Sequence, residues 1–148
     1  RAGRFRSREV KNMYIIVAGC GRLGRELALS LADSGHDVVV IDADAARFDS
    51  LGPGFNGMTV SGVPFDEDVL RSAGITSASA VAAVTSDDNV NVMISQIAKK
   101  LYHVPQVLTR ISDPDKVPTF SQMGFRLICP TAAAAASARE MLTGGTLL

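Results

Sequence analysis

The run Tyr14-Ile15-Ile16-Val17-Ala18-Gly19-Cys20-Gly21-Arg22-Leu23-Gly24 carries an apolar strand into a glycine fingerprint and then into a helix. A second apolar run, Val38-Val39-Val40-Ile41, ends on Asp42. Strand, glycine turn, helix, and an acid at the tip of the next strand form the pattern that holds a dinucleotide or adenosine ligand. Each residue has its own task. Gly19 permits the tight turn, Gly21 has no Cβ to obstruct a pyrophosphate, and Gly24 lets helix and strand pack closely. The helix start offers free N–H groups and partial positive charge to phosphate. Asp42 can accept both ribose hydroxyls, and its charge disfavours the 2′-phosphate of NADP. Cys20, Arg22, Leu23 and Ala43 fill the turn and the strand tip beside these residues.

Outward from this unit, strand and helix alternate. Leu23, Leu27, Ala28 and Leu31 predict a helix with one buried stripe, ended by Gly35. Strand two covers 37–42, and a short helix around 44–51 stops at Gly52-Pro53-Gly54. Met58 to Val60 is strand three, ending at Gly62; 66–73 reads as a helix closed by Gly74. Ala80 to Val84 is an unbroken apolar run, as a parallel strand covered on both faces requires. A helix from Asp87 or Asp88 should turn Val90, Met93, Ile94, Ile97 and Leu101 inward. Gln106–Ile111 is strand five, and Asp113-Pro114 opens a helix to about Met123. Phe125–Cys129 is strand six, and Pro130-Thr131 begins an alanine-rich helix. The expected fold is α/β: a Rossmann-like, doubly wound parallel sheet of six strands, order 3-2-1-4-5-6, in a single three-layer αβα domain. The boundaries read as a basic tail over 1–12, the domain over 13–143, and a short tail over 144–148.

Composition narrows the function. The 148 residues include 15 basic and 15 acidic side chains, 47% are hydrophobic, and 20% are charged. Five of the basic residues and one acid fall within 1–11, leaving 10 basic against 14 acidic residues for the body. An acidic body argues against a nucleic-acid face. No stretch approaches the roughly twenty apolar residues of a membrane span. Cys20 and Cys129 form no redox or zinc spacing and read as reduced thiols of a cytosolic protein. Catalytic constellations are also missing: His36 and His103 sit beside turns, Tyr14 and Tyr102 lack a lysine four residues on, and no metal-ligand spacing occurs. Asp87 and Asp88 read as solvated first-turn acids. The sheet reads as complete where the sequence ends, so no second domain to hold a substrate is expected from these residues.

With these residues in place, the chain resembles the nucleotide-binding lobe of the RCK/KTN family, the TrkA N-terminal type of potassium-transport regulator. The resemblance spans roughly Met13 to Arg139, through Tyr14–Gly24, Ser34–Asp44, Asp68–Gly74, Ala83–Asn91, Gln106–Pro114 and Met123–Pro130. It implies a cytoplasmic regulatory subunit, peripheral to the inner membrane, that senses NAD(H) or AMP, ADP or ATP and controls a membrane potassium transporter or channel. It also implies a homodimer or higher homo-oligomer, and a second RCK lobe that is on a separate chain, removed or absent. By the same match Gly19, Gly21 and Gly24 bind phosphates, Asp42 the ribose, Thr85 and Asn91 line the crevice, and Arg110 reaches phosphate from strand five. One segment departs from the family: after strand three it usually shows Gly-Asp-Ala, and here Gly62-Val63-Pro64-Phe65 stands instead. The acid is gone and proline removes a donor, although Val63 and Pro64 still offer apolar surface and carbonyl oxygens to an adenine.

The residues alone leave several alternatives open. Arg22, a cation in a first turn, opposes the helix dipole unless a phosphate offsets it. Arg110 in an apolar strand wants an anion, either a ligand or an internal partner among Asp42, Asp87 and Asp88. Thr85 and Ser86 are ligand contacts or plain capping hydroxyls. The Ala132–Ala136 run is a subunit contact or an ordinary terminal helix. Beside the regulator stand two further readings: the cofactor domain of an NAD-dependent oxidoreductase whose catalytic half lies elsewhere, and a scaffold that has lost its ligand.

Overall fold

The computed structural model describes residues 11–144; most of the basic tail and the last four residues lie outside them. Six strands, β1 (Tyr14–Ala18), β2 (Asp37–Asp42), β3 (Met58–Ser61), β4 (Ala80–Ala83), β5 (Gln106–Arg110) and β6 (Arg126–Ile128), form one parallel sheet. Their order is β3-β2-β1-β4-β5-β6, as the alternation predicted. The chain therefore reverses direction across the sheet between β1 and β4, where Ala18 pairs with Ala83 on one side and Ile41 on the other. Such a reversal leaves a crevice beyond the carboxyl ends of the two strands.

The central strands β1, β2 and β4 are apolar through their middles because both sheet faces are covered there. On one face Val17, Val38, Val40, Ala82 and Val84 meet helix α1 (Arg22–Asp33), whose Leu23, Leu27 and Leu31 are half-buried. On the other, Ile16, Val39, Ile41, Val81 and Ile111 meet α2 (Glu67–Ser72), α3 (Asp88–Gln96) and the short α4 (Val117–Phe120). The helix predicted over 44–51 is instead a 3-10 segment, Ala45–Leu51, capped by Asp44, whose carboxylate accepts the Ala46 N–H at 3.1 Å. The segment from Pro114 to Met123 is likewise broken into 3-10 and α turns around Pro118.

Two expectations for α3 need correction. Met93 and Leu101 are exposed, and the buried positions include Asn91, Ile94, Ser95 and Ala98. Asn91 and Ser95 can be buried because the sheet supplies their hydrogen bonds: Ser95 Oγ lies 2.6 Å from Thr109 Oγ1, and a satisfied polar group carries no desolvation penalty of the unpaired kind. A π-helical turn, Ile97–Leu101, then shifts the register. Asp88 is also not a solvated acid. It is only 9% exposed and accepts the backbone N–H groups of Ser112 at 2.7 Å and Asp113 at 3.3 Å.

The terminal helix α5 (Pro130–Thr143) buries none of its residues. On the α1 side, the sheet beyond β1 is correspondingly open. An apolar groove of about 240 Å³ runs there between Met13, Leu27, Leu31, Ala80 and Leu108, with Arg126 at its edge. No helix among the described residues is long and apolar enough to cross a membrane.

Candidate functional site

The crevice at the strand reversal encloses about 710 Å³, within the usual range for small-molecule sites. Gly19, Cys20, Gly21, Arg22, Leu23, Asp42, Ala43, Val63, Pro64, Thr85, Ser86 and Arg110 line it, all of them singled out in the sequence. Gly24, Gly62 and Asn91 lie behind the lining and shape it through packing and hydrogen bonds.

Backbone approach builds the floor. Gly19 adopts φ +115°, and a Cβ there would stand 2.9 Å from the Thr85 nitrogen and 3.0 Å from the Val84 carbonyl carbon. Only glycine meets both demands. A Cβ on Gly24 would strike the Gly19 carbonyl group and lie 3.3 Å from Val84 Cγ2, so α1 sits directly on the turn. Above Gly21 the space is open, the nearest atom to a Cβ there being Arg47 Nη1 at 3.8 Å. Gly21 is the N-cap of α1 and provides no side-chain acceptor, and no acid occupies the first turn. By contrast α2 and α3 are capped by Asp66 and Asp87. The first-turn amides of α1 therefore face the crevice without a capping carboxylate, which is the arrangement that receives an anion.

Asp42 does two jobs at the tip of β2. Its Oδ2 accepts the Cys20 N–H at 2.8 Å and its Oδ1 the Asp44 N–H at 2.9 Å, fixing both loops. A carboxylate has about four acceptor positions, so two remain for hydroxyls of a ligand. Asp42 is also only 14% exposed and has Arg47 Nε at 4.0 Å. Gly62 N–H donates to the Asp42 carbonyl at 3.0 Å, which draws the loop after β3 to the same corner.

Opposite, Asn91 ties the tips of β4 and β5 together. Its Oδ1 accepts from Thr85 N at 2.8 Å and Thr85 Oγ1 at 2.7 Å, and its Nδ2 donates to the carbonyls of Thr85 and Arg110, both at 3.0 Å. Thr85 Oγ1 also accepts the Asp87 N–H at 3.2 Å, so its hydroxyl does serve the α3 start. Arg110 Nη1 donates to the Thr85 carbonyl at 3.2 Å, while its Nε is buried with no hydrogen-bond partner. None of the carboxylates considered as an internal partner, Asp42, Asp87 or Asp88, pairs with it among the described residues. The guanidinium thus borders the crevice as an uncompensated cation, a costly state that a bound anion relieves.

Cys20 is 3% exposed, and burial pushes its thiol above the ordinary range. It is unpaired, as is Cys129, and packs beneath the turn. Sequence reasoning missed Arg47 and Phe65, which also line the crevice. Arg47 could have been noticed as the cation five residues past Asp42 on a turn closed by glycines. Phe65 had a weaker signal, the aromatic residue at the end of the apolar stretch Val63-Pro64-Phe65. Among the described residues no cluster of three metal-ligating side chains occurs.

Comparison with known proteins identifies the family. The TrkA-N domain model matches residues 15–130. The Trk system potassium uptake protein TrkA of Streptomyces coelicolor is 43% identical over 113 residues, covering 76% of this chain and 51% of that protein. A TrkA homolog from Pyrococcus abyssi is 35% identical over 111 residues, covering 75% and 49% respectively. The chain spans about half the length of these relatives. Among solved structures, the TrkA-N domain of the inner membrane protein ybaL from Escherichia coli superposes with a TM-score of 0.78 at 20% identity, covering 89% of this chain and 98% of that one. The AMP-bound Kef CTD of Shewanella denitrificans gives 0.71 at 18% identity, covering 90% and 83%. The GsuK channel bound to NAD gives 0.67 at 19%, covering 80% and 21%. At these identities the structural likenesses establish the fold.

Proposed function

The chain belongs to the TrkA-N domain family, and from that premise we propose that it is the nucleotide-sensing part of a cytoplasmic regulator of potassium uptake, docked at the inner membrane through a transporter or channel. The observation that carries this reading is the crevice itself. Bare amides of α1, the unpaired Arg110 and the spare acceptor positions of Asp42 meet where phosphate and ribose of one ligand would lie. The ligand is an adenine nucleotide, AMP, ADP or ATP, or NAD(H). Relatives and neighbours support both halves of the proposal, since they are Trk uptake proteins and structures holding AMP or NAD.

Regulation requires the ligand to bind two arrangements of an assembly unequally. We take that assembly to be a homo-oligomer, supported by α5, exposed from Thr131 to Thr143, and by the open apolar groove on the sheet. Chemistry is not part of the proposal: cations, helix amides and the carboxylates of Asp42, Asp44 and Asp87 line the crevice, and neither histidine does. A thermal-shift panel of AMP, ADP, ATP, NAD, NADH and NADPH tests the reading, because ligands of the native state raise the melting point. At least one of the first five should raise it by several degrees; a flat panel refutes the proposal. Steady NADH consumption with small carbonyl substrates would favour the oxidoreductase reading instead.

A further inference from the structure

Arg47 enters the crevice from the 3-10 segment after β2. Its backbone is fixed there. The N–H donates to the Asp44 carbonyl at 3.0 Å, and the carbonyl accepts Ser50 Oγ at 2.8 Å and the Cys20 thiol at 3.5 Å. The last of these ties the segment to the glycine turn itself. We propose that Arg47 is a ligand-contacting residue, whose guanidinium closes over the phosphate next to the ribose and holds it against the α1 amides. The inference rests on the nucleotide-sensing reading above and adds to that site a residue the turn and the strand tips do not supply.

Three observations carry it. The first is direction. Arg47 Nε lies 4.0 Å from Asp42 Oδ1, and Nη1 is the nearest atom to the place a Gly21 Cβ would occupy, at 3.8 Å. The guanidinium therefore runs from the acid assigned to the ribose toward the turn assigned to the phosphates. In a 5′-nucleotide a single carbon separates sugar from phosphate, so the phosphate falls beneath it. An arginine holding a 2′-phosphate would point the other way, to the outer side of the ribose.

The second is that this guanidinium is uncommitted. Arg25 is engaged by Glu26, and Arg71 by Glu67 and Asp68. Among the described residues the Arg47 guanidinium makes no hydrogen bond, since 4.0 Å to Asp42 is too long for one. With 55% of the side chain exposed, an ion pair of that length adds little to stability. Its planar set of donors is left free to meet two phosphate oxygens at once. The exposed stem can also lift by the width of a phosphate without moving the floor.

The third is charge. Asp42 and Asp44 both line this corner, and alone they would repel a phosphate that enters beside the ribose. Arg110 reaches the crevice from β5, beyond the tip of β4, so Arg47 is the cation on the side of the two acids.

The experiment is calorimetric titration of the purified protein and of its Arg47→Met and Arg47→Lys variants with ADP, NAD and NADPH. Thermal melting confirms that each variant is folded. Arg47→Met should weaken ADP and NAD alike by about tenfold, because both carry the phosphate next to the adenosine ribose. Arg47→Lys, which keeps the charge and loses the planar fork, should fall between the native protein and Arg47→Met. A co-crystal with ADP should place an Arg47 guanidinium nitrogen within about 3.2 Å of a phosphate oxygen. Three results each overturn the inference while the native protein still binds ADP or NAD. One is Arg47→Met binding both as tightly as the native protein or more tightly, which makes the side chain a bystander or a plug. Another is a loss confined to NADPH, which makes Arg47 a reader of the 2′-phosphate. The last is a co-crystal with the guanidinium turned away from the phosphates. If the native protein binds no nucleotide, the sensing reading falls and takes the inference with it.

Discussion

Replacing Asp42 by Asn separates its two jobs, because the amide keeps one acceptor oxygen and turns the other into a donor. In the native protein the carboxylate receives the Cys20 and Asp44 N–H groups at 2.8 and 2.9 Å. The asparagine oxygen can keep one of them, and its NH₂ then faces the other donor. Losing one hydrogen bond to a charged group costs about 1.5–3 kcal/mol of folding free energy. The fold should survive that, since domains of this size have roughly 5–15 kcal/mol in hand. Binding loses on a separate account: the spare acceptor positions that would take the ribose hydroxyls shrink in number and lose their charge, weakening an adenine nucleotide by a further ~1.5–3 kcal/mol, or about tenfold to a hundredfold. Urea unfolding measures the first quantity and calorimetric titration the second. Titration with 2′-deoxy-ADP ties the effect to the sugar. The native protein should prefer ADP over its deoxy analogue, and the variant should lose most of that preference. Equal affinity of the native protein for ADP and 2′-deoxy-ADP would refute the assignment of Asp42 to the ribose, whatever the variant does to stability.

Gly24→Ala would drive a Cβ into the Gly19 carbonyl, so urea unfolding should show a loss of about 1–3 kcal/mol or more, the usual cost of overpacking, together with weaker ligand binding. Arg110→Met removes a cation with a buried, unpartnered Nε; the melting point should hold or rise while affinity for ADP falls about tenfold, as expected from loss of a charge-assisted contact. Asn91→Leu deletes all four of its hydrogen bonds to the β4 and β5 tips and should cost several kcal/mol in chemical denaturation, roughly one to three for each buried group left unpaired. Burial raises the Cys20 pKa, so the folded state binds that proton more tightly than the unfolded chain. The associated stability is complete below the ordinary thiol pKa and declines as pH climbs through the raised one. Alkylation of Cys20 by iodoacetamide should accordingly be slow at neutral pH, and ligand should slow it further.

The parallel sheet and its order were legible because strands covered on both faces must be apolar end to end, and Tyr14–Ala18, Val38–Ile41 and Ala80–Val84 all are. The fingerprint and Asp42 were legible because a turn with positive φ beneath a helix start leaves only glycine as a choice. The inner face of α3 was not. Hydrophobic periodicity assigned Met93 and Leu101 to it, yet Asn91 and Ser95 are the residues inside, held by partners on β4 and β5 that no local pattern reveals. Asp88 was misread for the same reason, since its amide donors arrive from Ser112 and Asp113. Arg47 lies on the 3-10 segment after β2 and Phe65 on the turn after β3, and the second path depends on a long-range bond, Gly62 N–H to the Asp42 carbonyl. Their place at the crevice is a property of the fold.

The floor of the crevice is locked. Gly19 is pressed onto the end of β4, α1 is pressed onto Gly19, and Asn91 laces two strand ends together. Little of it can give when a ligand arrives. News of occupancy must then leave outward, past Arg22, Arg47 and Phe65 at the mouth, all of them open to solvent. A reader of the message at that doorway touches the guest or the gateposts, and Pro130, which also lines the crevice, puts the start of α5 beside them.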